Sequence, residues 1–166
     1  MVTTRRLLLP VMVALALLWQ PASSFATLTG SIVENVGVKT AKLGLRDSTD
    51  AARIGGAYKR VKNTDYDFTV WEYRFGKRNA AGKYGLQMYS KGNHIVFTFV
   101  INCTTLKTKN GTHVGTTEAT LAQRYGTKLH KSVGPVYTDY YMGTRNGRTD
   151  FWVKAGKVHH IVISRY

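Results

Sequence analysis

The chain has 166 residues, 43% of them apolar, with 24 Lys and Arg against 9 Asp and Glu. That length supplies one or two small domains with a packed core. Sixteen glycines and three prolines exclude a collagen-like or proline-rich chain, and 11% aromatic residues argue against disorder.

Met1–Arg6 is a short basic leader, and Leu7–Trp19 is an apolar run of 13 residues. Ser24-Phe25-Ala26 fits a small-x-small cleavage site. Residues 1–26 therefore read as a secretory signal peptide, with an uncleaved anchor as the alternative. Thr4-Arg5-Arg6-Leu7-Leu8-Leu9 also resembles a degenerate twin-arginine signal. The expected location is secreted or in the cell envelope. Cleavage after Ala26 leaves 140 residues with 22 cations against 9 acids, a charge of +13. No later apolar run reaches the length of a span, so no transmembrane segment is expected in the mature chain. Cys103 is the only cysteine, so no internal disulfide is possible and packing must hold the fold. Its place at the end of an apolar strand reads as a buried thiol.

Three blocks recur in order. Thr49-Asp50-Ala51 matches Thr117-Glu118-Ala119, and Phe75-Gly76-Lys77-Arg78-Asn79 matches Met142-Gly143-Thr144-Arg145-Asn146. Lys91-Gly92-Asn93 matches Ala155-Gly156-Lys157, each followed by an apolar strand. The offsets are 68, 67 and 64, and a longer hairpin around Ala80–Tyr84 accounts for the drift. The spacing predicts a duplication, with repeats over 37–101 and 104–166.

In the first repeat Asp47 or Ser48 caps a helix bearing Ala51, Ala52 and Ile54, which Gly55-Gly56 stops. Trp71, Tyr73 and Phe75 then alternate with Glu72 and Arg74, a period of two with one apolar face. Residues 84–90 form a second strand, and Ile95, Phe97, Phe99 and Ile101 alternate along a third. In the second repeat Thr116 or Thr117 caps a helix with Glu118 at its positive end. Leu121, Ala122 and Tyr125 give that helix an apolar face, and Gly126 ends it. Tyr140 and Met142, residues 148–154, and Ile161 with Ile163 repeat the three strands. The expected class is α+β: two tandem repeats, each a short helix packed on an antiparallel β-meander.

A capped helix, a glycine and a hairpin-rich sheet with an x-Gly-[Asn/Lys]-x-[Ile/Val] turn resemble the BamE-like domains of secreted and envelope proteins. Two such units in tandem are similar to the β-lactamase-inhibitory-protein type of repeat. The resemblance covers about residues 37–166 and implies a non-enzymatic module that binds another macromolecule through its sheet or a hairpin loop. In that inhibitor type a loop of the first repeat offers an acidic side chain to an enzyme pocket. The matching loop here, residues 76–84, carries Lys77, Arg78 and Lys83 and no acid, which speaks against β-lactamase inhibition.

The chain has no Gly-x-Ser-x-Gly, no His-Glu-x-x-His and no P-loop. His159 and His160 are expected on opposite strand faces, and His94, His113 and His130 lack metal spacing. Asp65 and Asp67 share a face only if extended. No catalytic residue, metal or cofactor is expected, and the chain reads as a non-enzyme. A charge of +13 exceeds the roughly 2–8 units that solubility asks for. The cations are spread, with no run longer than two, which argues against a dedicated nucleic-acid role. The expected partner is a secreted or envelope protein, with anionic wall or lipid polymers as the alternative. The expected binding residues lie on the first hairpin of each repeat: Lys77, Arg78, Lys83 and Tyr84, then Arg145 and Arg148. An arginine adds nothing to turn geometry, and its planar fork suits phosphate or carboxylate.

Overall fold

The computed structural model describes residues 30–39, 41–54, 58–63, 70–75, 84–101 and 103–165. The leader over 1–26 and the loop bearing Lys77, Arg78 and Lys83 lie outside them.

Two sheets form. The smaller has the order β3-β2-β1-β8, built from β1 (Gly30–Val33), β2 (Gly37–Val38), β3 (Ala41–Lys42) and β8 (Leu106–Thr108). The larger has eight strands in the order β4-β5-β6-β7-β12-β11-β10-β9. Its first half is β4 (Tyr58–Asn63), β5 (Val70–Phe75), β6 (Leu86–Lys91) and β7 (His94–Val100). Its second half is β9 (His130–Val133), β10 (Thr138–Thr144), β11 (Gly147–Lys154) and β12 (Lys157–Ser164). Helix α1 (Asp47–Ile54) precedes the first half and α2 (Glu118–Tyr125) the second.

The α+β expectation is overturned. Strands take up 56% of the described residues, and each helix has only eight residues. Two features account for the difference. Each half has four strands rather than three, because β4 and β9 add an outer edge to each. In addition, residues 30–42 and 106–108 build a second sheet that no apolar alternation announces.

The two halves correspond through backbone bonds. Asp47 N donates to Asn93 O at 3.0 Å, and Glu118 N to Gly156 O at 2.9 Å. Ile95 N donates to Leu45 O at 3.0 Å, and Val158 N to Thr116 O at 2.8 Å. Each helix start is thus tied to the last hairpin of its own half. Those hairpins turn on Gly92-Asn93 and Ala155-Gly156, all four at positive φ, as the twist of a two-residue hairpin requires. Each half also carries one extra residue in its last strand, Val96 against the Tyr89/Ser90 step and His159 against the Trp152/Val153 step.

One face of the large sheet, both helices and the small sheet share a single core. Tyr73, Phe75, Leu86, Met88, Ile95 and Val100 enter it from the first half, and Tyr140, Phe151, Val153, Ile161 and Ile163 from the second. Ala51 and Ile54 of α1, Leu121 and Tyr125 of α2, and Ile32, Val38 and Leu106 of the small sheet close it. At α2, Thr117 Oγ1 accepts from Thr120 N at 3.2 Å as the N-cap, and Gly126 ends the helix at φ +54°. Burial pushes the Tyr125 phenol up to about 12, with its hydroxyl 2.8 Å from Glu34 Oε1. Among the described residues no helix is long and apolar enough to cross a membrane.

Candidate functional site

Side chains alternate across a strand, so those that miss the core line up in rows on the opposite face. One row runs Arg74, Gln87, Phe99, Val162, Asp150, Tyr141. Beside it runs Glu72, Tyr89, Phe97, Ser164, Arg148, and on its other side His160, Trp152, Asp139, Ser132. Tyr89, Phe97, Phe99, Trp152 and Val162 stand apart from the core, and both helices bury their apolar residues on the other side. Among the described residues no helix covers this open face, whose rings are half-buried at Phe97, Phe99 and Trp152 and buried at Tyr89.

The expected alternation of Ile95, Phe97, Phe99 and Ile101 breaks at the extra residue Val96. Ile95 therefore points into the core while Phe97 and Phe99 join the open face. The rings form a continuous band. Tyr89 and Phe97 have centroids 4.6 Å apart, Phe97 and Phe99 meet edge-on at 5.5 Å, and Phe99 and Trp152 at 5.9 Å. A cavity of about 700 Å³ lies along this band, lined by Phe97, Phe99, Trp152 and Val162 with Asp139, Arg148, Asp150 and Ser164.

The cavity's polar end is a carboxyl pair. Arg148 Nε donates to Asp150 Oδ1 at 2.7 Å, and its Nη2 to Asp139 Oδ2 at 3.0 Å. The guanidinium carbon lies 3.8 Å from the centroid of the Tyr141 ring, which in turn stacks on His130. Asp139 Oδ1, Asp150 Oδ2 and Ser164 Oγ are buried without a donor or acceptor from elsewhere. Burial, and then the Asp150 charge, push the Asp139 carboxyl up to about 7, against the pull of Arg148.

The matching rows of the first half hold a different set. Glu72, 1% exposed, accepts from Arg74 Nε at 2.7 Å and Nη2 at 2.8 Å, and from the Gln87 amide. Glu72 pairs with Tyr89 as Asp139 pairs with Trp152, and Gln87 pairs with Phe99 as Asp150 pairs with Val162. The first half therefore satisfies its carboxylate internally, whereas the second leaves one buried oxygen of each carboxyl without a donor.

The expected binding residues separate. Lys77, Arg78 and Lys83 lie outside the described residues. Tyr84 is half-buried, its ring centroid 5.6 Å from the Arg74 guanidinium. Arg145 is exposed in the turn between β10 and β11. Arg148 is a strand residue on the open face, neutralised by Asp139 and Asp150, and does not act as a tip cation. His159 and His160 also depart from expectation. The extra residue His159 brings the two Nδ1 atoms to 3.3 Å, with the Tyr137 ring beside both. Among the described residues no group of three or more His, Cys, Asp or Glu is placed to hold a metal ion.

Asp139 and Asp150 meet only across the β10–β11 hairpin, so the spacing of single acids along the chain does not relate them. Counting outward from the Arg145-Asn146 turn would have put both on one face, on neighbouring strands and in adjacent pairs.

No protein-family model matches the chain, and no curated protein does. Among solved structures, the fold is similar to that of the uncharacterized protein yfeY from Escherichia coli. That match has 13% identity and a TM-score of 0.54 over 82% of this chain and 99% of that one. The fold is also similar to part of an extracellular protein containing a SCP domain from Bacillus anthracis, at 9% identity and a TM-score of 0.51. That match takes in 74% of this chain and 44% of the other. At such identities the likeness is one of fold alone.

Proposed function

We propose that the chain is an exported, basic, non-enzymatic binding module that holds a protein partner on the open face of its large sheet. The observation that carries this reading is the aromatic band from Tyr89 to Trp152, laid along a cavity instead of the core. Contiguous apolar surface rimmed by polar groups is costly to leave in water and marks sites of association. The acids on this face are neutralised by Arg74 and Arg148, and Lys91 and Arg165 stand exposed on the cavity wall. The surplus cations elsewhere then speed encounter with an acidic surface. Export is supported by the basic leader, the apolar run and the Ser24-Phe25-Ala26 site.

The test is a pull-down from native envelope fractions with the parent and a Phe99→Ser, Trp152→Ser variant, at low and moderate salt. Both substitutions lie outside the core. The expected result is a species retained by the parent at both salts and absent from the variant. The second reading is an envelope protein held by anionic wall or lipid polymers, and the charge of +13 favours it. It gives capture that salt abolishes and that the variant leaves unchanged.

A further inference from the structure

We propose that the β9–β10 turn and the β11–β12 hairpin form a docking surface for an anionic phospholipid bilayer, with Val133, Pro135 and Val136 entering the headgroup layer and Lys154 and Lys157 meeting lipid phosphates. The proposal goes beyond the open-face reading and does not rest on it, since the aromatic band from Tyr89 to Phe99 takes no part.

Val133 is 75% exposed and Val136 57%, and no other large apolar side chain among the described residues exceeds 44%. Both belong to one turn, which Gly134 N closes by donating to Tyr137 O at 2.9 Å. Such a turn asks for glycine and proline, and Gly134 and Pro135 supply them. It does not ask for valine on either side. Pro135 is exposed as well, so three apolar side chains stand together in water beside the edge strand β9.

The neighbouring hairpin brings the charge. Thr138 pairs with Val133 on one side and Val153 on the other, so the two turns lie at the same end of the sheet. The Tyr137 ring ties them together: its centroid is 5.6 Å from Lys154 Nζ and 5.7 Å from the His159 ring. Lys154, Ala155, Gly156 and Lys157 are all exposed, and among the described residues no acid pairs with either lysine. Glu118, whose N–H is bonded to Gly156 O, is already matched by Lys131 at 3.5 Å and by the Tyr140 hydroxyl. Asp139, two residues beyond the turn, is matched by Arg148.

Size separates a bilayer from a protein partner at this place. A stable protein interface buries roughly 800 Å² on each side. Three side chains on an exposed turn cover less than that. They suit the headgroup boundary, where apolar groups sink about 5–10 Å and anionic lipid attracts the cations beside them. Lysine stems lie along apolar surface while the ammonium reaches phosphate, and the half-buried Tyr137 is of the amphipathic type that favours this depth.

The experiment is flotation with vesicles of phosphatidylcholine alone, or with about one third phosphatidylglycerol. It uses the chain cleaved after Ala26, so that the apolar run of the leader does not itself bind lipid. The parent is expected to bind the anionic vesicles at least tenfold more tightly than the neutral ones. Lys154→Gln with Lys157→Gln should weaken that binding about fivefold for each lysine removed. Val133→Ser with Val136→Ser should weaken it about tenfold and leave retention on dextran sulfate unchanged. All four positions are exposed, so both variants should melt with the parent. Arg145→Ala, at the opposite end of β10, should leave vesicle binding unchanged. In bicelles carrying a spin-labelled lipid, the amide signals of Val133 and Val136 should broaden before that of Arg145. No binding to anionic vesicles overturns the proposal, and so does binding that the valine variant keeps in full. A loss on Arg145→Ala as large as that of the lysine pair marks diffuse charge and also overturns it. If the valine variant loses a protein from the envelope pull-down while its vesicle binding matches the parent, the turn is a protein contact and the bilayer site falls. The Phe99→Ser, Trp152→Ser variant should bind vesicles like the parent, so this proposal and the open-face reading fail separately.

Discussion

Gln87 and Asp150 hold the same place in the two halves of the large sheet, each one pair away from the β7–β12 join, and only Gln87 brings its own N–H. Gln87 donates to a buried carboxylate that Arg74 grips through both nitrogens. Arg148 bridges Asp150 and Asp139, and each acid is left with one buried oxygen that no donor reaches. Burial, and then the Asp150 charge, hold the Asp139 carboxyl near 7, so the charge of the second arrangement changes near neutral pH.

Stability should therefore depend on pH through Asp139. Its carboxyl is raised from 3.8 to about 7 in the folded chain, so the fold keeps a proton that the unfolded chain has released. This contribution is complete below about pH 4 and is lost as pH rises through 7. Asp150→Asn should gain on the parent over that interval and be more stable by about 1 kcal/mol at pH 8. Thermal melts of both proteins at pH 5 and pH 8 check this. A difference in Tm that stays constant or shrinks toward pH 8 refutes it.

Gly147 is set by packing. A Cβ there would lie 2.2 Å from the backbone oxygen of Asn35, whose N–H donates to Thr149 Oγ1 at 2.7 Å. Gly147→Ala must push the β1–β2 turn off the second hairpin, at a cost of about 2–3 kcal/mol. Gly92→Ala meets nothing within 4 Å and pays only for its φ of +56°, about 1 kcal/mol. Urea titration of the two variants should show that order, and the reverse order would place the small sheet elsewhere.

Whether an element was legible in the sequence depended on whether burial left a period to read. Tyr73 and Phe75 point inward because β5 has one covered face, and the alternation of residues 71–75 reports it directly. Strand β9 is exposed at all four positions, and the described side chains of β4 include Lys59 and Arg60, both exposed. Edge strands that carry cations resist pairing with other chains, and for the same reason they show no apolar alternation. The extra residues Val96 and His159 defeated the reading in another way. Each shifts the parity of its strand midway, which sends Phe97 and Phe99 to the open face and brings His159 against His160. Blocks around 75 and 142 matched at the register that the strands use. The helix blocks did not, since Arg46 and Thr117 are the residues that bridge to His94 and Lys157, a correspondence 71 residues apart at the helices and 63 at the hairpins.

Cys103 sits after β7 at 7% exposure, with its Sγ 3.1 Å from Thr105 Oγ1. A thiol placed so should react with an aromatic disulfide reagent at least a hundredfold more slowly in the native chain than in guanidinium. Native labelling as fast as that of the unfolded chain would mean that the loop opens readily.

Arg145 and Arg148, three residues apart, should separate in both stability and binding. Arg145 is exposed in a turn and forms no part of the core, so Arg145→Ala should stay within about 0.5 kcal/mol of the parent. Arg148 is the counter-charge for two acids, and its removal leaves Asp139 and Asp150 facing each other alone. Partial solvent access tempers that loss to about 1–3 kcal/mol, below the cost of breaking a fully buried pair. The loss should also be greater at pH 8 than at pH 5, since at pH 5 Asp139 still keeps its proton. Polyanion binding should show the opposite ranking. A free tip cation adds to the salt slope of retention on a polyanion column, whereas a cation already paired with carboxylates adds little. Arg145→Ala should therefore elute at lower salt than the parent while Arg148→Ala, measured where it is folded, elutes close to it. Earlier elution of Arg148→Ala than of Arg145→Ala would show that the arginine is released from its acids when an anion arrives, and would move the anion-binding surface from the hairpin tip to the open face.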